Sequence, residues 1–241
     1  MTPPTRSEPV HVGVFIYARA DSRRLPGKVL RPFGQGTLLE HVINRARQVH
    51  ATSWALLTSD RAIDDPLAAA ASDAGLDIVR GSATDLLTRT LTAIDTLHVD
   101  RFVRINADSP LFEPRLANAA LRRSSGEDLV SNLIERRFPY GVAVEIVDTT
   151  HYLRLADTAQ PDELEHVTQH LYRQAHTGTV LSLTQHADHS RLHLAVDTLE
   201  DHERVQALFH PPACPLAPYW ELLGLSEPTL RWNTLGGQLE A

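Results

Sequence analysis

Lysine is almost missing from this chain: Lys28 stands alone beside twenty-two arginines in 241 residues. Cysteine is equally scarce, with Cys214 the single example, so no internal disulfide can form and a reducing compartment is expected. Its setting, Pro211-Pro212-Ala213-Cys214-Pro215, reads as inert rather than nucleophilic. No run approaches the roughly 20 apolar residues of a membrane span. Residues 1–9 carry Pro, Thr and charges where a signal peptide would carry an apolar core, and a cytoplasmic protein is expected. The formal charge of −7 lacks the basic surplus of nucleic-acid binders, so any anionic partner has to be met locally.

Two glycine-rich phosphate signatures are also absent. Gly27-Lys28 is followed by Val29 rather than Ser or Thr, and no glycine lies five residues before Gly27, which excludes a Walker loop. Gly34-Gln35-Gly36 has Leu39 where a dinucleotide fingerprint needs its third glycine.

What is present is concentrated in one loop, Arg19-Ala20-Asp21-Ser22-Arg23-Arg24-Leu25-Pro26-Gly27-Lys28. A chain that writes nearly every cation as Arg yet keeps one compact ammonium beside a Pro-Gly turn suggests a point charge for a polyphosphate rather than a flat guanidinium fork. A solvated loop lysine placed by chance is the plain alternative. Arg19, Arg23, Arg24, Lys28 and Arg31, with Asp21 the one intervening acid, favour an anionic ligand. The apolar run 10–18 has the length of a buried strand and leads straight into this loop. Thr37-Leu38-Leu39-Glu40 reads as a capping box opening a helix. The loop therefore leaves the carboxyl end of a first strand, where open α/β sheets place their ligands.

Further strands are expected over 53–58, 76–79 and 101–105, alternating with helices that begin at 64–66 and span 84–97 and 114–123. Strands over 128–131 and 142–147, helices over 152–157 and 162–174, strands over 180–183 and 192–196, and a helix through 203–208 complete the pattern. This alternation predicts a three-layer α/β domain with a twisted, mostly parallel sheet flanked by helices. It spans 10–210, after a flexible segment 1–9, and an appendage over 211–241 packs on the same domain.

Asp108 and Asp197 each follow an apolar strand and belong at the carboxyl edge of the sheet, near the basic loop. Two carboxylates converging on a polyphosphate suit Mg²⁺, which takes one or two protein carboxylates plus phosphate oxygens and keeps several waters. Helix capping is the competing reading, with Asp197-Thr198 starting the last helix.

Several blocks follow one another in order: Arg24-Leu25-Pro26-Gly27-Lys28-Val29-Leu30, Thr58-Ser59-Asp60, Arg80-Gly81-Ser82, Asp85-Leu86-Leu87, Arg104-Ile105-Asn106-Ala107-Asp108-Ser109-Pro110-Leu111, Ser131-Asn132, Phe138-Pro139, Glu165-His166-Val167-Thr168 and Val196-Asp197-Thr198. Over about residues 10–209 the chain resembles the cytidylyltransferases, the spore-coat polysaccharide branch first and the 3-deoxy-manno-octulosonate and sialic acid enzymes more distantly.

The resemblance implies the nucleotidyltransferase fold and Mg-dependent transfer of CMP from CTP to a small anionic acceptor, foremost a 2-keto sugar acid, with pyrophosphate leaving. Arg19 and Lys28 would hold the triphosphate with Ser22 assisting, and Asp108 and Asp197 would hold the metal; these two cations and two carboxylates form the catalytic set. The backbone at Ala18 and the segment with Gly81, Ser82, Asp85 and Arg89 would select cytosine, with Asn106 also at the nucleotide. Arg104, Tyr140, Glu145 and His166 would lie toward the acceptor. A homodimer is implied, and the turn Phe138-Pro139-Tyr140 either reaches a partner subunit or caps its own core.

The chain also departs from the family. Gly141-Val142-Ala143-Val144-Glu145 stands where Gly-Leu-Asp-Val-Glu is usual, Tyr140 stands where Arg or Asp is common, and Tyr17 precedes Ala18 where Gln or Pro is expected. CMP transfer to a phosphonate or other non-sugar acceptor is thus the alternative. A glycosyltransferase of similar architecture would show an Asp-x-Asp pair, which Ala107-Asp108-Ser109-Pro110 lacks. A non-catalytic nucleotide-binding regulator would have lost Asp108 or Lys28. His166 and His170 are one helical turn apart, but Val167 replaces the Glu of a metalloprotease helix, and the histidines other than His166 read as surface residues.

Overall fold

The computed structural model describes residues 9–160, 163–173, 178–209 and 214–236. In chain order the elements are β1 (Val12–Tyr17), the small hairpin β2 (Pro32–Phe33) and β3 (Gly36–Thr37), α1 (Leu38–Ala46), β4 (Ser53–Ser59), α2 (Asp65–Asp73), β5 (Asp77–Gly81) and α3 (Leu86–Leu97). Then come β6 (Arg101–Asn106), α4 (Pro114–Arg123), β7 (Leu129–Ser131), β8 (Glu145–Asp148), α5 (Thr149–Ala156), α6 (Gln169–Arg173), β9 (Thr179–Gln185), α7 (Leu199–Ala207), α8 (Tyr219–Leu222) and β10 (Leu230–Gly236).

One sheet of eight strands forms the middle layer, in the order β10-β9-β7-β8-β6-β1-β4-β5. β5, β4, β1 and β6 are parallel neighbours, as are β7 and β9, whereas β8 runs against both β6 and β7 and β10 runs against β9. All six residues of β1 are buried, as expected for a strand covered on both faces. The two-residue period of the strand divides them: Val14 and Ile16 join a core with α1, α2, α4, α7 and α8. Phe15 and Tyr17 join another with α3, α5 and α6. Burying each such side chain contributes about 1.5–3 kcal/mol.

The starts of α1 and α4 follow the sequence signals. Thr37 accepts from the Glu40 N–H and Glu40 from the Thr37 N–H, completing the capping box of α1. Three expectations need correction. The stretch 192–196 is not a sheet strand; only His193 forms an isolated bridge, to Tyr140. The strand expected over 142–147 is confined to β8, because Val142 and Val144 bond the Asn132 side chain instead of a neighbouring strand. Of the helix expected over 162–174, α6 is the helical part, while Asp162 and Gln174 lie outside the described residues. Most of the segment 1–9, expected to be flexible, lies outside them too, as do 210–213 and 237–241.

The stretch beyond the proline-rich segment contributes β10 to the sheet and puts Tyr219 and Trp220 in the core. Arg45, fully buried, ties it down: Nε donates to the Phe112 carbonyl at 2.7 Å, Nη1 to the Pro215 and Ala217 carbonyls at 3.2 and 3.0 Å, and Nη2 pairs with Glu113 at 3.2 Å. Such a guanidinium is kept buried only because nearly every donor is met.

Candidate active site

The carboxyl ends of β1 and β6 open into a cleft of about 610 Å³, within the usual size for a small-molecule site. Ala18, Arg19, Ser22, Lys28, Arg89, Asn106, Asp108, Tyr140, His166 and Asp197 line it, so the structure gathers ten of the expected site residues in one place. A larger hollow of about 1170 Å³ lies between the β2–β3 hairpin, α1, α2 and α7, but among the described residues no lysine or arginine lines it. The charged chemistry belongs to the smaller cleft.

The basic loop is held down by the chain's own acids and glycine. Gly27 adopts φ 67, a left-handed conformation that glycine takes without steric cost, and its N–H donates to the Ala20 carbonyl at 2.8 Å. Asp64, expected to open α2, makes no capping bond. It is fully buried, accepts from the Ala20 N–H at 2.7 Å and bonds the Ser59 hydroxyl. The Thr58-Ser59-Asp60 block is thereby a clamp on the loop.

Lys28 is only 8% exposed. Its ammonium donates to Asp108 Oδ2 at 2.8 Å, to the Val196 carbonyl at 2.8 Å and to Asp197 Oδ1 at 3.2 Å. Asp108 and Asp197 therefore share one cation, although they are 89 residues apart in the chain. The Val196 N–H, donating to the Asp108 carbonyl at 2.8 Å, brings them together. Neither side chain caps a helix: Thr198 caps α7 in a box with Asp201, and Glu113 caps α4. The capping reading of both aspartates is thus removed.

Tyr140 and His193 form the wall beside Asp197. Their rings stack at 4.7 Å, and His193 Nε2 lies 3.8 Å from Asp197 Oδ2. Burial, then the charges of Asp197 and Asp108, push the Tyr140 phenol up. Phe138 is buried in the core, whereas Tyr140 at the end of the same turn is exposed. Gly141, at φ 95, is bracketed by the backbone bonds Tyr140 N–H to Leu192 O and Leu194 N–H to Tyr140 O. A Cβ there would sit 2.5 Å from the Ala195 nitrogen and 2.7 Å from the Leu194 carbonyl carbon. Gly141→Ala is expected to cost about 1–3 kcal/mol in denaturant unfolding, from the left-handed conformation alone, and to displace the segment leading to Asp197. Unchanged stability would contradict this packing.

Of the segment expected to select cytosine, Gly81, Ser82 and Asp85 do not line the cleft; they shape the loop that does. Ser82 Oγ accepts from the Asp85 N–H at 3.2 Å, Asp85 caps α3, and buried Arg89 donates to the Ser82 carbonyl. Arg104 and Glu145 also lie beneath the lining. Glu145 is 1% exposed, pairs with Arg104 and accepts from the Tyr172 hydroxyl at 2.9 Å, while Arg104 donates to Asn106 Oδ1 at 3.1 Å. Burial opposes the charge on Arg104, but Glu145 outweighs it and the guanidinium pKa is raised. Burial first, then the Glu145 charge, raises Tyr172 well above its ordinary value.

The cleft also contains Arg23 and Arg24 of the basic loop, Ala83 and Leu86 of the segment 81–89, and Tyr17, Val29, Ala107 and Glu165, to which no individual role was assigned. Arg24 Nη2 is 2.9 Å from Asp197 Oδ1; its place in the basic loop was the available signal. The histidines are not mere surface residues either, since His41, His151 and His202 are buried. Burial and Arg45 push the His41 pKa down to about 4, so it stays neutral against the Pro110 carbonyl. Among the described residues no group of three or more His, Cys, Asp or Glu is arranged to hold a metal, and no helix is long and apolar enough to cross a membrane.

Comparison with known proteins agrees with this geometry. The cytidylyltransferase family model matches residues 14–224. The spore coat polysaccharide biosynthesis protein SpsF of Bacillus subtilis is 30% identical over 207 residues, covering 80% of this chain and 84% of that protein. A cytidylyltransferase structure from Leptospira borgpetersenii superposes with a TM-score of 0.84 at 28% identity, over 89% of this chain and 93% of that one. A CMP:2-keto-3-deoxy-manno-octonic acid synthetase solved with CTP shares the fold, with a TM-score of 0.61 at 17% identity over 83% of this chain and 98% of that one. The family match takes in every residue that lines the cleft, and on it the chain belongs to the cytidylyltransferase family, as an enzyme of that class.

Proposed function

We propose that the cleft transfers CMP from CTP to a small anionic acceptor, foremost a 2-keto sugar acid, and releases pyrophosphate. The observation that carries this reading is the meeting of Asp108 and Asp197 at one point beside Lys28. The synthetase of similar fold binds CTP and acts on such a sugar acid by its name.

An acceptor oxygen attacks the α-phosphorus in line, the bond from that phosphorus to the bridging oxygen of the leaving pyrophosphate breaks, and the acceptor's proton is released. Lys28 and Arg19, with Ser22, bind the triphosphate and neutralise charge that grows on the leaving group. Ala18, Asn106 and Arg89, the last steadied by the Ser82 loop, surround the nucleoside. Tyr140 and His166 border the acceptor, while Arg104 and Glu145 brace Asn106 from below.

Asp108, Asp197 and the Val196 carbonyl offer only oxygen donors at their meeting point, which fits a hard divalent cation. We assign Mg²⁺ to Asp108 and Asp197, where it would supply charge neutralisation to the phosphates.

A phosphonate or other non-sugar acceptor is a second reading, favoured by Ala143 and by Glu145 being engaged with Arg104 and Tyr172 rather than open to the cleft. Incubating the protein with each of the four NTPs and Mg²⁺ against sugar acids and phosphonates should give pyrophosphate with CTP and one acceptor class. Equal release from UTP, ATP or GTP would contradict the cytidine assignment.

A further inference from the structure

An ammonium has three protons to donate, and Lys28 gives all three to the chain itself: to Asp108 Oδ2, the Val196 carbonyl and Asp197 Oδ1. Arg24 places a second cation on the same Asp197 oxygen, at 2.9 Å. Two carboxylates thus face two cations, Lys28 buried and Arg24 largely exposed, and their meeting point carries no surplus negative charge. A divalent ion arriving by itself would meet like charge at contact distance in a partly desolvated cleft, where repulsion is far stronger than in water. Lys28 cannot simply move aside, because an ammonium that is 8% exposed would give up three bonds without replacement. A polyphosphate supplies the replacement: its oxygens accept from Lys28 and Arg24, and both carboxylates are released.

We infer that Lys28 is a plug that makes divalent-cation binding at Asp108 and Asp197 conditional on nucleotide. The inference rests on the CTP reading of the cleft. Metal and nucleotide then raise one another's affinity by the same factor. Arg24 has a lesser part, since its side chain is 66% exposed and touches one carboxylate only.

Mn²⁺ binding to the full chain without nucleotide, followed by the loss of the free-ion electron paramagnetic resonance signal, tests this without any turnover. Lys28→Met should bind Mn²⁺ more tightly than the wild type by roughly 5- to 150-fold, the range of ordinary coupling between sites. Arg24→Met, a change on an exposed side chain, should tighten binding by a smaller factor and carries the test should Lys28→Met fail to fold. Adding Asp197→Asn to either variant should abolish the gain, which places the ion at the carboxylate pair. Folded Lys28→Met with wild-type Mn²⁺ affinity overturns the plug, as does Arg24→Met with wild-type affinity where Lys28→Met does not fold. Calorimetry of CTP binding to the wild type, with a chelator and with Mn²⁺, separates the two ideas: CTP binding with no Mn²⁺ gain in the variants rejects the plug alone, whereas no CTP binding under either condition rejects the nucleotide reading.

Discussion

Lys28→Met should slow CMP transfer by about 10²- to 10³-fold, or ~2.7–4 kcal/mol of transition-state stabilisation, the usual cost of removing a preorganised donor aimed at developing charge. The group is well placed for the role. Val196, Asp108 and Asp197 hold it at 2.8–3.2 Å, at the point where the triphosphate would take over its bonds. Lys28→Arg should rescue poorly, because a planar fork is larger than the compact ammonium that fits between the two carboxylates. Pyrophosphate release at saturating CTP, with thermal melting measured alongside, separates lost chemistry from lost fold. Wild-type turnover in the arginine variant would defeat the point-charge argument.

The parts of the molecule that were legible in the sequence are those written in local chemistry. Thr37 and Glu40 announce α1, Pro114 opens α4 where expected, and the apolar run before Ala18 is β1. Asp108 and Lys28 were readable because the loops that follow strands carry ligands in α/β sheets. The rest depends on contacts between distant segments. The stretch 192–196 looks like a strand by its alternation, yet its backbone partners are Tyr140 and Asp108. Asp64 looks like a helix start, and only the fold shows it bonding the Ala20 N–H, 44 residues away. Glu145 reads as an acceptor contact by resemblance, whereas Tyr172 and Arg104 enclose it. His193 gives no local sign that it will stack on Tyr140. β10, encoded beyond the proline-rich segment, pairs with β9 and had no local signal strong enough to mark it.

The claim on which the rest depends is that Asp108 and Asp197 act as one unit on bound CTP, and a double-mutant cycle on turnover tests it most directly. Asp108→Asn and Asp197→Asn keep the shape of each side chain and remove the charge. Thr198 and Glu113 do the capping of α7 and α4, so both variants should fold like the wild type. Each single change should abolish most of the CTP-dependent pyrophosphate release. The double variant should lose little more, because residues that act as a unit are strongly non-additive. Near wild-type turnover in either single variant, or losses that multiply in the double, would contradict the account.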